Sequence, residues 1–194
     1  MHVEVTEETA AELAEYARVP ISFEVRSVLD VTPPASGLGG LVLAERRLDA
    51  PWVKDYDALE HPLRWPERFD TSGWGFLAAR VEGRRVGGAT VAFGAEDVEM
   101  LEGRSDLAVL WDLRVDPEAR GRGVGAALFR AAEAWAAARG CRRLKVETQN
   151  VNVPACRFYA RRGCVLGAIH RFAYPDLPDE AQLLWYRDLP APTF

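Results

Sequence analysis

Between Arg120 and Ala126 the chain reads Arg120-Gly121-Arg122-Gly123-Val124-Gly125-Ala126, glycines interleaved with two arginines just ahead of a strongly helical stretch. Glycine lets a backbone approach a ligand closely, and the N–H groups of a first helical turn have no acceptor within the helix, so partial positive charge gathers at one place. A phosphate group is the natural guest there. Arg120 and Arg122 add full charges and charge-assisted hydrogen bonds. Gly121 to Ala126 also spells the dinucleotide-binding pattern Gly-x-Gly-x-x-Ala, with Glu147 where a ribose-binding acid belongs. In that fold the first glycine follows its strand directly, whereas here Asp116-Pro117-Glu118-Ala119-Arg120 intervenes and only 73 residues remain after Gly121. A glycine turn with a purely structural role is the third alternative.

The elements that must position this loop are legible on both sides of it. Leu107–Val115 reads as a strand leading in. Val124, Ala127, Leu128, Ala131, Trp135 and Ala138 repeat at helical spacing leading out, and Gly140 fits as the stop. Arg142–Thr148 is the next predicted strand, followed by a helix over Pro154–Arg162 that ends at Gly163, then strands over Val165–Phe172 and Gln182–Leu189. Upstream, Trp74–Arg80 and Val86–Phe93 form a predicted hairpin around Val81-Glu82-Gly83-Arg84-Arg85. Thr6–Ala17 is predicted helical and Ile21–Val31 a strand. From Thr32 to Phe69 prolines and glycines interrupt any long element, leaving room for a short strand or helix at Leu41–Leu48 in a wall or lid. The order implies an α/β fold, antiparallel early with a parallel crossover in the middle, in one domain spanning residues 1–194.

Composition sets the outer bounds. At 194 residues, 48% hydrophobic and 27% charged, the chain is ordinary for a globular protein and long enough for one core. Cys141, Cys156 and Cys164 are odd in number and fit no zinc spacing with His2, His61 and His170, so they read as free thiols and no metal site is expected. Neither a leader pattern nor a run of about 18 apolar residues is present, and the protein is expected to be cytoplasmic, away from membranes. The formal charge is −5, yet Arg114 to Lys145 carries eight basic residues against three acids. A basic segment inside an acidic chain suggests one anionic and one cationic ligand rather than a nucleic-acid surface, with ordinary solvated charge as the alternative.

The loop and the segment downstream of it together resemble a family. Arg120, Gly123 and Gly125 fill the Arg/Gln-x-x-Gly-x-Gly/Ala pattern of the GNAT superfamily of acyl-CoA N-acyltransferases, and Asn152, Ala155, Phe158-Tyr159 and Gly163 match its asparagine, helix and tyrosine segment. The resemblance covers about Trp74 to Leu189. It implies a mixed, mostly antiparallel sheet flanked by helices, with the parallel crossover at the coenzyme A site. It further implies acetyl-CoA as donor and CoA as product, held by loop amides from Arg120 to Ala126 (Gly121, Arg122, Gly123, Val124 and Gly125 between them) and by main chain at Leu113 and Val115. A narrower resemblance, to the streptothricin acetyltransferases, lies in Leu110-Trp111-Asp112-Leu113-Arg114-Val115, Val146-Glu147-Thr148-Gln149-Asn150-Val151-Asn152 and Leu184-Trp185-Tyr186, and more loosely in Phe23-Glu24-Val25-Arg26-Ser27 and Lys54-Asp55-Tyr56-Asp57. It implies a small amine as acceptor, the β-lysine amine of a streptothricin-type antibiotic. Relatives implied by the resemblance include homodimers. Cys164 departs from the superfamily, which has an aromatic after that glycine.

Acetyl transfer to nitrogen needs a neutral amine, and an alkylammonium has a pKa near 10.4, so a base must take a proton directly or through water. Asp112 and Glu147, on neighbouring strands, are the candidates; either could instead hold a cationic substrate or sit in an ordinary ion pair. Tyr159, seven residues after Asn152, matches the superfamily's general acid for the leaving thiolate, with core packing as the alternative. By the same resemblance Asn152, Ala155 and Tyr159 line the pantetheine arm, although Asn152 also suits a helix cap. Cys156 lacks a nearby histidine and direct transfer needs no nucleophile. Trp111, Trp74, Tyr56 and Tyr174 are read as an aromatic wall for a cation, or as core.

Overall fold

The computed structural model describes residues 2–190. In chain order the strands and α-helices are β1 (Glu4–Glu8), α1 (Leu13–Tyr16), β2 (Phe23–Thr32), β3 (Val42–Lys54), α2 (Trp65–Arg68), β4 (Gly75–Val81), β5 (Arg84–Ala92), β6 (Leu107–Val115), α3 (Val124–Ala138), β7 (Arg143–Gln149), α4 (Val153–Arg161), β8 (Val165–His170) and β9 (Gln182–Asp188). They group into two compact units whose segments interleave along the chain. One holds the residues up to Ser22, Asp55–Lys145 and Asp188 onward; the other holds Phe23–Lys54 and Val146–Arg187.

In the first unit β1, β4, β5 and β6 are antiparallel neighbours, and β7 begins parallel to β6. The expected helix over Thr6–Ala17 is replaced at its start by β1, paired from Glu4↔Arg80 to Glu8↔Phe76. Tertiary partners outweigh the helix propensity of a Glu- and Ala-rich stretch: Glu8 binds Arg80 and Arg85, and Glu7 accepts the Trp135 indole N–H at 2.7 Å. Helix survives only in the short turns that bury Leu13 and Tyr16. The hairpin closes through Glu82 and Gly83, both at positive φ, the mirror-image turn that matches strand twist. Gly88 on β5 is where the Tyr16 ring lies against the sheet, and any Cβ would collide with it. From the opposite flank α3 buries Val124, Leu128 and Trp135 as expected, together with Phe129, Ala132 and Ala136, while Ala127 and Ala131 are half-buried and Ala138 is exposed, so the buried face is turned from the expected one; Gly140 follows it at φ 80°.

In the second unit β2 and β3 form a long antiparallel ribbon. The short element expected at Leu41–Leu48 is a 13-residue strand that passes straight through Pro51. Proline is tolerated because the register slips: Val25 faces Trp52 while Ser27 faces Arg47, so Pro51 lies in a bulge where no ladder hydrogen bond is needed. The later part of β7 neighbours β9, which pairs antiparallel with β8. Helix α4 packs on β2, and Val25, Val28 and Val151 form a small core with Phe23 and Leu48.

Candidate active site

The anion loop lies in the first unit. After β6, Asp116 caps a single 3-10 turn by accepting the Glu118 N–H at 3.0 Å, and Arg120 returns to extended backbone. Gly123, at φ 90°, starts α3 in a conformation that costs a side-chain-bearing residue strain. The space beside it is open, with nothing within 4 Å of an ideal Cβ at Gly121 or Gly123. The Ala127 N–H closes on the Gly123 carbonyl at 3.0 Å, so the N–H groups of Val124, Gly125 and Ala126 ahead of it have no helical acceptor. A 15-residue helix adds its dipole. Arg120 braces the loop, its Nε donating to the Val115 carbonyl at 3.1 Å and its Nη2 to the Ser22 carbonyl at 3.0 Å. Arg122 is exposed and offers its charge to the outside. These residues fit a pyrophosphate: amides converge, a charge stands by, and no side chain fills the approach.

Behind half-buried Leu113 and Val115 the same strand carries a charge network. Arg114, with a side chain only 1% exposed, clamps Asp57 through Nη1 and Nη2 at 3.1 and 3.0 Å, and Asp112 through Nε and Nη2 at 2.9 and 2.7 Å. It also donates to the Val19 carbonyl and lies 4.8 Å from the Tyr16 ring centre. The Tyr16 hydroxyl donates to Asp112 at 2.5 Å. Burial, with the Asp112 charge beside it, lifts the Tyr16 phenol well above its ordinary range. Arg114 is held cationic by Asp112 against the opposing effect of burial. Both Asp112 oxygens thus accept from the Arg114 guanidinium, and Oδ1 accepts from Tyr16 as well. Trp74 and Trp111 meet with ring centres 5.3 Å apart in a cluster with Phe69 and Trp65, Trp74 buried and Trp111 half-buried. Tyr56 is half-buried, its carbonyl accepting the N–H groups of Leu59 and Glu60.

Glu147 belongs to the second unit and has a different environment. Its Oε1 accepts from the Tyr174 hydroxyl at 2.5 Å and from Gln149 Nε2 at 3.2 Å; its Oε2 accepts from Gln182 Nε2 at 2.7 Å. All three donors are neutral groups. Of the residues read as an aromatic wall, Trp74 is buried in the core of the first unit, and in the second unit the Tyr174 hydroxyl binds Glu147. Asn152 caps α4, accepting the Ala155 N–H at 3.2 Å, and seven residues on Tyr159 lies buried with its ring edge-on to Phe158. Cys156 is buried against Thr148 at 3.4 Å, and burial raises its thiol pKa. Among the described residues no three His, Cys, Asp or Glu side chains are grouped to hold a metal, and no helix is long and apolar enough to cross a membrane.

Comparison with known proteins matches residues 42–164 to the Acetyltransferase (GNAT) family. The chain belongs to the GNAT acetyltransferases. It is an acetyl-CoA-dependent N-acetyltransferase of that family. Among curated GNAT relatives, a streptothricin acetyltransferase of Streptomyces lavendulae is 28% identical over 88% of this chain and 86% of its own. One of Escherichia coli is 37% identical, over 46% of this chain and about half, 53%, of its own length. The solved structure of a nourseothricin acetyltransferase superposes with a TM-score of 0.77, at 25% identity, covering 98% of this chain and all of that one. The GNAT architecture explains the alternation of strands and helices around the loop, and the dinucleotide fold is set aside. Sequence reasoning passed over the Tyr16–Asp112–Arg114–Asp57 network and the buried pair Lys54–Glu180, although Asp57 and Lys54 stand in a stretch already singled out.

Proposed function

We propose that this enzyme moves the acetyl group of acetyl-CoA to a primary amine of a small cationic acceptor of the streptothricin type, at its β-lysine amine. The observation that carries the reading is Glu147, a carboxylate that accepts from three neutral donors, in the same unit as Asn152 and Tyr159. Such a group attracts an ammonium and can take its proton. The names of the streptothricin and nourseothricin acetyltransferase relatives support the choice of acceptor.

Acetyl-CoA, when bound, supplies a thioester. The loop amides from Gly121 to Ala126, with Arg122, hold the diphosphate, while Leu113 and Val115 offer main chain to the arm. On α4, Asn152 and Ala155 are assigned to donor binding by the family resemblance. Glu147 receives the ammonium proton directly or through water, so that the nitrogen lone pair can form the N–C bond as the C–S bond breaks. Tyr159 gives a proton to the departing sulfur. Overall one ammonium and one thioester become one amide, one thiol and one released proton. Asp112, saturated by Arg114 and Tyr16, is assigned to positioning β6 rather than to proton transfer.

Thiol release from acetyl-CoA with purified protein tests the reading, using streptothricin beside aminoglycosides, polyamines and simple amines. Streptothricin is expected to give a kcat/KM of roughly 10⁴ M⁻¹s⁻¹ or more. A better acceptor elsewhere in the panel, or no turnover with streptothricin, would overturn the acceptor.

A further inference from the structure

In the second unit, Lys54 at the end of β3 and Glu180 just ahead of β9 form a buried pair, Nζ to Oε1 at 2.6 Å, each side chain 7% exposed. The other Glu180 oxygen, Oε2, is buried and has no hydrogen-bond partner among the described residues. Leaving a buried ionised oxygen without a donor is costly, and the great majority of buried polar atoms have one. The backbone next to Glu180 is held on both sides of Ala181. Asn150 accepts the Ala181 N–H on its Oδ1 at 2.8 Å and donates its own N–H to the Ala181 carbonyl at 3.0 Å. Asn150 stands three residues after Glu147, and Gln182, two residues after Glu180, is the residue that donates to Glu147. Chain length alone keeps the Cα atoms of 180 and 182 within about 7 Å. Glu147 and Glu180 together bring two negative charges, against the one positive charge of Lys54.

We infer that Glu180 is a specificity-determining residue: its Oε2 receives a second, non-reacting ammonium of the acceptor, so the enzyme selects diamines over monoamines. The inference rests on the amine-acetylation reading above and names the substrate class of that site. The second ammonium supplies both the missing donor and the missing positive charge, while the first nitrogen gives its proton to Glu147. Residues 171–181, which contain no helix or strand, carry both Tyr174 and Glu180. An acceptor that draws Tyr174 away from Glu147 therefore acts on the same segment that carries Glu180.

The test compares butylamine, 4-aminobutanol and putrescine as acceptors in the thiol-release assay, with wild type and Glu180→Gln. Glutamine keeps an acceptor for Lys54 but removes the charge. Wild type is expected to favour putrescine over butylamine by about tenfold or more in kcat/KM, with aminobutanol between, and the ratio to collapse toward one in the variant. Equal use of the three acceptors by wild type, or a ratio that survives in Glu180→Gln, overturns the inference and leaves the oxygen to an ordered water. The wild-type series decides alone if the variant does not fold. Calorimetric titration separates the two readings. Tenfold tighter binding of putrescine than butylamine without thiol release sinks acetylation of these amines and keeps the Glu180 seat; equal binding sinks the seat.

Discussion

Tyr159 and Glu147 divide the proton traffic of the proposed reaction, and single-atom changes separate their roles. Removing the Tyr159 hydroxyl leaves donor and acceptor binding in place and takes away the proton offered to sulfur. Tyr159→Phe is therefore expected to lower kcat by about ten- to a thousandfold with KM for acetyl-CoA little changed. Glu147→Gln keeps the shape but loses both charge and basicity, so kcat should fall and KM for the amine should rise. Steady-state kinetics on both variants, with each substrate varied in turn, checks the pair; an unchanged kcat for either removes that residue from the mechanism. The sequence alone kept both Asp112 and Glu147 as candidates and leaned slightly to Asp112. What divides them is the charge of their partners, Arg114 for one and Tyr174, Gln149 and Gln182 for the other. Those partners come from segments whose juxtaposition no local spacing encodes. Lys54 and Glu180 lie 126 positions apart, and their pairing was equally out of reach.

Among the elements, those whose type follows from their own pattern were read correctly. The helix α3 with its Gly140 stop, and β6 over Leu107–Val115, needed only periodicity and a terminator, although the buried face of α3 takes in Phe129, Ala132 and Ala136 in place of Ala127, Ala131 and Ala138. The misread ones depend on distant partners: β1 is a strand because Arg80, Arg85 and Trp135 receive its glutamates, and β3 is long because a bulge shelters Pro51. Two glycines in this framework make opposite demands and allow a clean test. Gly88→Ala drives a methyl into the Tyr16 ring, an overpacking expected to cost about 1–3 kcal/mol and several degrees of Tm with KM for acetyl-CoA nearly unchanged. At Gly123 the space is open but φ is 90°, so Gly123→Ala shifts the loop amides and should raise KM for acetyl-CoA severalfold with a smaller loss of Tm. Thermal melts and donor kinetics on the two variants check the contrast. Equal kinetic defects in both would mean that the loop's shape is not what Gly123 provides.

For the molecule as a whole, charge and titration set the conditions under which it stays folded. The chain has a formal charge of −5 and concentrates its cations between Arg114 and Lys145. The same fold buries groups that must stay protonated. Cys141, fully buried after Gly140, has its thiol pushed up to about 11, first by burial and then by the Asp106 charge. A folded pKa above the unfolded value means that the native state holds its proton more tightly. Stability from this group is complete below the unfolded thiol value near 9 and is lost as pH climbs through about 11. Tyr16, raised well above its ordinary 10 by burial and by Asp112, extends the same loss to higher pH. Tm should hence fall steeply above pH 9, and Cys141→Ala should flatten the slope between about 9 and 11 while leaving the steeper decline beyond it. Melting curves of wild type and variant across that range decide the matter, since identical slopes would show that the Cys141 thiol does not drive alkaline unfolding. The same shift leaves only about one Cys141 thiol in a thousand ionised in the native state at pH 8, so thiol reagents should label it only through unfolding.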